Sequence, residues 1–366
     1  QNFTTATDTY NTAVGYTAGI SVTTGAGNTF IGGLAGDGTD DGANNTAVGY
    51  QALSANCGDD NIAIGHQALL LNIKNQNIAI GSHALDLDVN GGTSVAIGHE
   101  ALTTQAPASA TDMYNVAVGH SAGAAVTTGT NNTFLGALAG SVLTTGLRNT
   151  LVGHNAGLAL ATSNSDNVFV GQGAGSAITS GDANVIIGRY SGNGSGLDIR
   201  TASNNIVLSD GDGVPRVIVD STGAVTMPSQ PAFSAVSSAA QENLAVGVVT
   251  VVFGAEIFDQ NADFASNTFT APVTGRYFLS STLRMENIDS AANYYRNNII
   301  TSNRTYFTLL DPGQFAGDLD YWTMSNTCFA DMDANDTAIV SVDQSGGTAQ
   351  TDLADGQCYF YGYLVA

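Results

Sequence analysis

Asn45-Thr46-Ala47-Val48-Gly49 and Asn61-Ile62-Ala63-Ile64-Gly65 are two copies of one five-residue phrase, and its reading decides the fold. The phrase also stands at Asn11–Gly15, Asn28–Gly32, Asn77–Gly81, Ser94–Gly98, Asn115–Gly119, Asn132–Gly136, Asn149–Gly153, Asn167–Gly171 and Asn184–Gly188, with a degenerate copy at Asn205–Ser209. Steps are mostly 16 to 18 residues, with two of 21. A fixed period of this length marks a solenoid, because one unit cannot bury its own apolar face and must stack on the next.

Within a phrase, positions two and four are Thr, Val, Ile or Leu. They share one face of a short strand, while Asn, Ala or Phe, and Gly share the other. Both faces are apolar or small, the pattern of a strand buried on two sides. One face can fill the interior of the roll, and the other then needs a partner, most simply a neighbouring chain. After each glycine comes x-x-Ala with Leu or Gly, as in Gln51-Ala52-Leu53 and Ala139-Gly140. This predicts a second short strand past a glycine corner. Twelve turns at strand spacing give a rod of about 55–60 Å. Residues 11–36 match residues 115–140 at 17 of 26 positions, so the rod reads as a duplicated block, and length suits a spacer better than a cleft.

The phrase resembles the head repeats of trimeric autotransporter adhesins and the Asn-Thr-Ala-x-Gly-Tyr-Gln-Ala-Leu repeats of phage tail fibres. Asn45–Leu53 is nearly a consensus copy of the latter. Over residues 11–209 the resemblance implies a trimeric left-handed parallel β-roll. The period here is longer than is usual in the adhesins.

Composition narrows the function classes. Of 366 residues 11% are charged and 44 are glycine, which suits tightly turning β structure. The formal net charge of −22 has no basic patch set against it, so nucleic acid and anionic membrane are not expected partners. No apolar run is long enough to span a bilayer, so membrane insertion is not expected. The chain opens at Gln1 without a signal-like segment, as a processed or trimmed product would. Cys57, Cys328 and Cys358 are too few for a disulfide framework. The last two could pair, but separate buried thiols are the expectation.

Three regions follow: a repeat β-roll shaft over 1–210, a β-hairpin neck and linker over 211–230, and a head over 231–366. In the neck, Val214–Asp220 and Ala224–Met227 read as a hairpin, and Pro228-Ser-Gln-Pro231 breaks the chain. In the head, aromatic and aliphatic strands alternate between Gly, Pro and Asn/Asp turns, which predicts an antiparallel sandwich. Asn267-Thr-Phe-Thr-Ala-Pro272-Val-Thr-Gly275-Arg-Tyr277-Phe278, Asn335-Asp336 with Ile339, and Tyr359-Phe-Tyr-Gly362-Tyr-Leu364 carry a second resemblance. They resemble the globular heads of the complement first-component family, which share a jelly roll with tumour necrosis factor. That resemblance implies a trimeric jelly roll. The fold class expected is therefore all-β, a β-roll shaft with a jelly-roll head.

Candidate chemistry is sparse. His66, His99, His120 and His154 directly follow a repeat glycine, and His83 sits one later. Stacked turns would align them in a ladder able to bind anions or a metal, or to loosen on protonation. The plainer reading is a flat ring that stacks well at a corner also held by Tyr16 and Tyr50. No histidine occurs in 231–366, so the head holds no Ser-His-Asp triad, and no enzyme is expected. Asp311, Asp318, Asp320, Asp331 and Asp333 resemble oxygen ligands for calcium, the one possible cofactor, although solvated loop acids are the plainer reading. Tyr294, Tyr295 and Arg296, with Tyr321 and Trp322, offer rings and hydrogen-bonding groups for a receptor, and some of these rings must be core.

Together these features predict a homotrimeric fibre of a phage or phage-like particle. Its head would bind a host cell-surface glycan or protein receptor, and a virion or fibre-anchoring protein would hold it, extracellular, on a tail. A bacterial surface adhesin and a glycan-degrading tailspike are the alternatives.

Overall fold

Each phrase folds as a strand of three residues, or four in the last copy. In the computed structural model, which describes residues 9–366, these are β1 (Thr12–Val14), β2 (Thr29–Ile31), β3 (Thr46–Val48), β4 (Ile62–Ile64), β5 (Ile78–Ile80) and β6 (Val95–Ile97). They continue as β7 (Val116–Val118), β8 (Thr133–Leu135), β9 (Thr150–Val152), β10 (Val168–Val170), β11 (Val185–Ile187) and β12 (Ile206–Ser209). Every one pairs in parallel with the next, position for position, so Thr46 lies beside Ile62 and Ala47 beside Ala63. The result is the predicted β-solenoid.

Burial settles which face points inward. The middle residue, as in Phe30, Ala63, Phe134 and Phe169, is wholly buried, and so are the phrase asparagines from Asn28 to Asn184. Positions two and four face out. Ile31, Ile64, Ile97, Leu135 and Ile187 are between 36% and 48% exposed, which leaves an apolar stripe along the ladder.

The asparagine has a specific task inside. Asn45 Oδ1 accepts the backbone N–H of Asn61 at 2.8 Å, and Asn45 Nδ2 donates to the carbonyl of Gly58 at 2.9 Å. Asn132 repeats the pattern with Asn149 N–H at 2.9 Å and the Gly146 carbonyl at 2.8 Å. Each turn thus satisfies backbone groups of the next that would otherwise be buried unpaired. Glycine at position five answers a close approach. Gly65 has φ +136°, and a Cβ there would lie 2.6 Å from the carbonyl carbon of Gly81.

The second strand expected after the glycine does not form. Gln51 and Leu53 have φ of 52° and 55°, and the same positions of later turns repeat this left-handed backbone. Alternate left-handed residues cannot make a pleated strand. Hydrogen bonds still tie the turns together, from Gln51 N–H to Gly33 and from Leu53 N–H to Ala68, both at 3.0 Å. Ala52 and Leu53 nevertheless pack into the core, as the apolar pattern requires.

At the end of the ladder, β12 pairs antiparallel with β13 (Pro215–Val219), which pairs with β14 (Val225–Thr226). The neck hairpin therefore extends the shaft sheet. Two compact units separate between Met227 and Pro228.

The second unit is an antiparallel sandwich. Its strands are β15 (Ala232–Val236), β16 (Gly247–Thr250), β17 (Ala255–Asp259), β18 (Phe264–Ala265), β19 (Thr268–Thr270) and β20 (Gly275–Ile288). Then follow β21 (Tyr294–Thr301), β22 (Thr305–Leu310), β23 (Leu319–Met332), β24 (Thr337–Ser345), β25 (Asp352–Leu353) and β26 (Tyr359–Leu364). One sheet runs β17-β15-β26-β20-β23, and the other β18-β19-β24-β21-β22 with β16 beside β24. Strand neighbours far apart in sequence, such as β15 with β26, give the jelly-roll arrangement. Phe233 anchors the core, with its ring 4.6 Å from that of Phe269 and 5.0 Å from that of Phe264. Buried alternating residues of β20 and β23, Leu279 and Leu283 with Met324 and Ala330, complete it.

Candidate functional site

On the shaft, stacked turns bring aromatic rings together at the corner after each glycine. Tyr50 stacks on His66 at 5.8 Å between centroids, His66 meets His83 edge-on at 5.1 Å, His83 meets His99 at 6.4 Å, and His99 stacks on His120 at 5.3 Å. The ladder is real but differs from the expected set. His83, one position late in sequence, swings into it and takes the place that Ser82 leaves empty of a ring. His154 stands apart, because Ala137 occupies the corresponding position of the turn between it and His120. His83 Nδ1 is also bonded to Asp86 Oδ2 at 2.9 Å.

Inside the same stretch lies a group that the sequence reading did not single out. Ser94 replaces the ladder asparagine, and Gln105 fills the gap: its Oε1 accepts from Asn115 Nδ2 at 2.8 Å, and its Nε2 donates to Asp88 Oδ2. Asp88 is wholly buried and also accepts the Gly91 N–H at 2.7 Å. Burial pushes its carboxyl up to about 6, against the pull of both hydrogen bonds. The signal was the exception itself, a serine where every other turn has asparagine.

In the head, strand alternation sorts the candidate aromatics. Tyr295 points inward and is fully buried. Its hydroxyl lies 2.7 Å from Thr351 Oγ1 and accepts the Asp289 N–H at 3.1 Å. It is therefore core, which corrects its assignment to a receptor surface. Tyr294 and Arg296 face outward, with the guanidinium 4.4 Å from the Tyr294 ring. Tyr321 and Trp322 fall on opposite faces of β23 and so make no common platform. Tyr321 carries Arg284 over its ring at 4.9 Å, while Trp322 meets Phe315 at 5.6 Å.

The five aspartates do not converge. Asp311 caps the 3-10 turn at Pro312–Gln314, accepting the Gly313 N–H at 3.0 Å. Asp318 accepts Ser290 N–H and Oγ at 2.8 and 2.7 Å and Gln350 Nε2 at 3.1 Å, bonds that hold its carboxyl below its ordinary value. Asp320 stands exposed at the start of β23. Asp331 and Asp333 lie at its other end, about 35 Å away along an extended strand. There Asp331 pairs with Arg276 at 3.0 Å, in an open cleft of about 390 Å³ lined also by Thr274 and Asn303. Among the described residues no group of three or more His, Cys, Asp or Glu stands ready to hold a metal. Cys57, Cys328 and Cys358 are separate, buried thiols, as expected, and burial raises the first two to about 11.

One outward face was missed, and a second was named only in part. On the β15-β26-β20-β23 sheet, Phe278 meets Phe329 at 5.6 Å and Tyr363 at 5.3 Å, with Tyr361 beside them. Phe329 is 64% exposed. The aromatic-x-aromatic alternation of Tyr359–Tyr363 was the available signal. On the other sheet, pairing sets Phe307 and Asp343 beside the Tyr294–Arg296 pair, from strands that no local pattern connects.

No protein-family model matches the chain, and no curated protein matches it. Solved structures similar to it include the globular domain of zebrafish complement 1qA protein, 17% identical, covering 37% of this chain and 98% of that one with a TM-score of 0.28. Murine APRIL is another, 10% identical, covering 37% of this chain and 99% of that one with a TM-score of 0.29. The sandwich itself stands on its strand pairing. Among the described residues no helix is long and apolar enough to cross a membrane.

Proposed function

We propose that the protein is a homotrimeric fibre of a phage or phage-like particle, with the solenoid as spacer and the sandwich as a receptor-binding head. The observation that carries this reading is the outward apolar stripe of the ladder, Ile31, Ile64, Ile97, Leu135 and Ile187. An unpartnered stripe of that length is an aggregation hazard in a lone chain. Three chains around one axis would cover it and leave the polar turns outside. The exposed ring cluster of Phe278, Phe329, Tyr361 and Tyr363 supplies a matching apolar face on the head.

In this reading the fibre acts outside the cell, held by an anchoring protein of the particle, and needs neither catalysis nor a cofactor. Electron microscopy of the native source should find it on particles, and a protein found only as free soluble trimer would overturn the assignment. Light scattering should give three times 37.2 kDa, and the pair Ile64→Asp and Ile97→Asp should bring it down towards one. A clean monomer for the unaltered chain would refute the packing argument.

A further inference from the structure

The outer face of β21, β22 and β24 holds an arrangement that the core does not require. Strand pairing sets Leu309 and Asp343 on either side of Arg296, and Phe307 beside Asn298. The Arg296 guanidinium is clamped between two rings, 4.4 Å from the centroid of Tyr294 and 4.7 Å from that of Phe307. Its Nη1 is 3.8 Å from Asp343 Oδ2, a charge contact too long for a hydrogen bond, and its Nε is buried with no partner. The other sheet's Arg276, by contrast, donates directly to Asp331 at 3.0 Å. Arg296 is thus held in direction by packing while its donors remain unused.

That combination selects a ligand. A fixed donor and a fixed acceptor about 4 Å apart fit two neighbouring hydroxyls, since each hydroxyl both accepts and donates. One oxygen takes a guanidinium N–H, and the next hydroxyl gives its proton to Asp343. The ring rims of Tyr294 and half-exposed Phe307 offer apolar surface to the C–H face of a pyranose. An anionic ligand would meet Asp343 and a chain of net charge −22, and a cationic one would meet Arg296. A protein partner's anchors would want a concave, desolvated pocket, and this face is the open side of a sheet.

We propose that this face binds a neutral saccharide, with Arg296 and Asp343 gripping vicinal hydroxyls and Tyr294 and Phe307 supporting the sugar ring. The proposal rests on the reading of the sandwich as a receptor-binding head and names the receptor's chemistry. It moves the site away from Tyr321 and Trp322 to residues brought together by strand register.

The test uses the full chain on an array of immobilised neutral oligosaccharides, sialylated or uronate-bearing oligosaccharides, and surface proteins, followed by calorimetric titration of any neutral hit. Arg296→Gln, Asp343→Asn and Phe307→Ser are run alongside, with melting temperature and light scattering to confirm intact fibres. Neutral sugars should bind, and each variant should lose at least tenfold in affinity with the fibre unchanged. A neutral hit that binds all three variants equally would place the site elsewhere and overturn the proposal. So would a preference for acidic sugars. Capture by proteins alone, lost on Arg296→Gln, would overturn the saccharide class yet keep the head as receptor binder. Silence across all three classes would overturn both readings.

Discussion

Replacing Asp88 with Asn should reverse part of the protein's response to pH, in a direction fixed by burial. In the folded chain the carboxyl sits wholly inside the roll between the Gly91 N–H and Gln105, and its pKa rises from 3.8 to about 6. The unfolded chain ionises it near the lower value. Below that pH the group is neutral in both states and costs the fold nothing. As pH climbs from about 4 through 6, the unfolded chain sheds the proton more easily, so stability falls. At about 1.36 kcal/mol per pH unit the loss levels off near 3 kcal/mol above pH 6.

Asparagine cannot ionise. It keeps an acceptor for Gly91 but turns an amide N–H towards Gln105 Nε2, a mismatch of about 1–2 kcal/mol that is the same at every pH. Urea unfolding of D88N and the parent at pH 4 and pH 7.5 separates the two effects. Every other one of the chain's 31 acidic residues titrates in both proteins, so only the difference between them isolates this site. That difference should move in the variant's favour by about 2.5 kcal/mol between the two pH values. A difference that does not change with pH would refute the claim that this carboxyl is buried and ionisable in the fold.

Gly65→Ala should cost at least about 2 kcal/mol and lower the melting temperature, because φ is +136° and the new methyl meets the Gly81 backbone; an unchanged melt would deny the close approach of the turns. Asn132→Ala strands the Asn149 N–H and the Gly146 carbonyl, so it should destabilise by about 2–5 kcal/mol in denaturant titration, against near neutrality for an exposed asparagine with ordinary backbone such as Asn193. His83→Ala breaks two ring contacts and the bond to Asp86, so thermal melts should show a loss of about 1 kcal/mol, while His154→Ala, with no ring beside it, should stay within about 0.5 kcal/mol. Equal effects of the two histidine changes would remove any energetic meaning from the ladder.

The parallel stack was legible because a fixed period leaves one physical solution, turn upon turn, and because the five-residue phrase alternates like a strand. The segment after each glycine was misread for the same reason. Gln51-Ala52-Leu53 alternates as a strand would, but Gln51 and Leu53 are left-handed, and the signal lay in other turns, where glycine stands at the position of Leu53, as Gly123 and Gly140 do with φ of 60° and 58°. The asparagine could be counted in the sequence, yet its task depends on a neighbour one turn away, and only stacking shows Asn45 holding the Asn61 backbone. In the head, period two says that one of Tyr294 and Tyr295 must point inward. Which one depends on register against β24, where Tyr295 lies opposite Gln344 and Arg296 opposite Asp343. Phe307 and Asp343 come from different strands, so the cluster they make with Arg296 exists only after folding.

Under the proposed function, the two outer faces of the sandwich would divide the work by chemistry. Four rings, with Phe278 at their centre, gather on the β15-β26-β20-β23 face, and Phe329 at 64% exposure gains most from leaving water. Covering those rings satisfies the hydrophobic term, with the Arg276–Asp331 pair at the strand ends left to water, which in the proposed trimer suits a permanent contact between identical chains. On the β21-β22-β24 face, rings already hold a guanidinium, and a carboxylate stands beside it. Burying that face permanently against a copy of itself would strand two charges that make no close hydrogen bond to each other. A reversible ligand with hydroxyls of its own supplies those hydrogen bonds, so under the proposed function the second face is the one that the fibre would leave open for recognition.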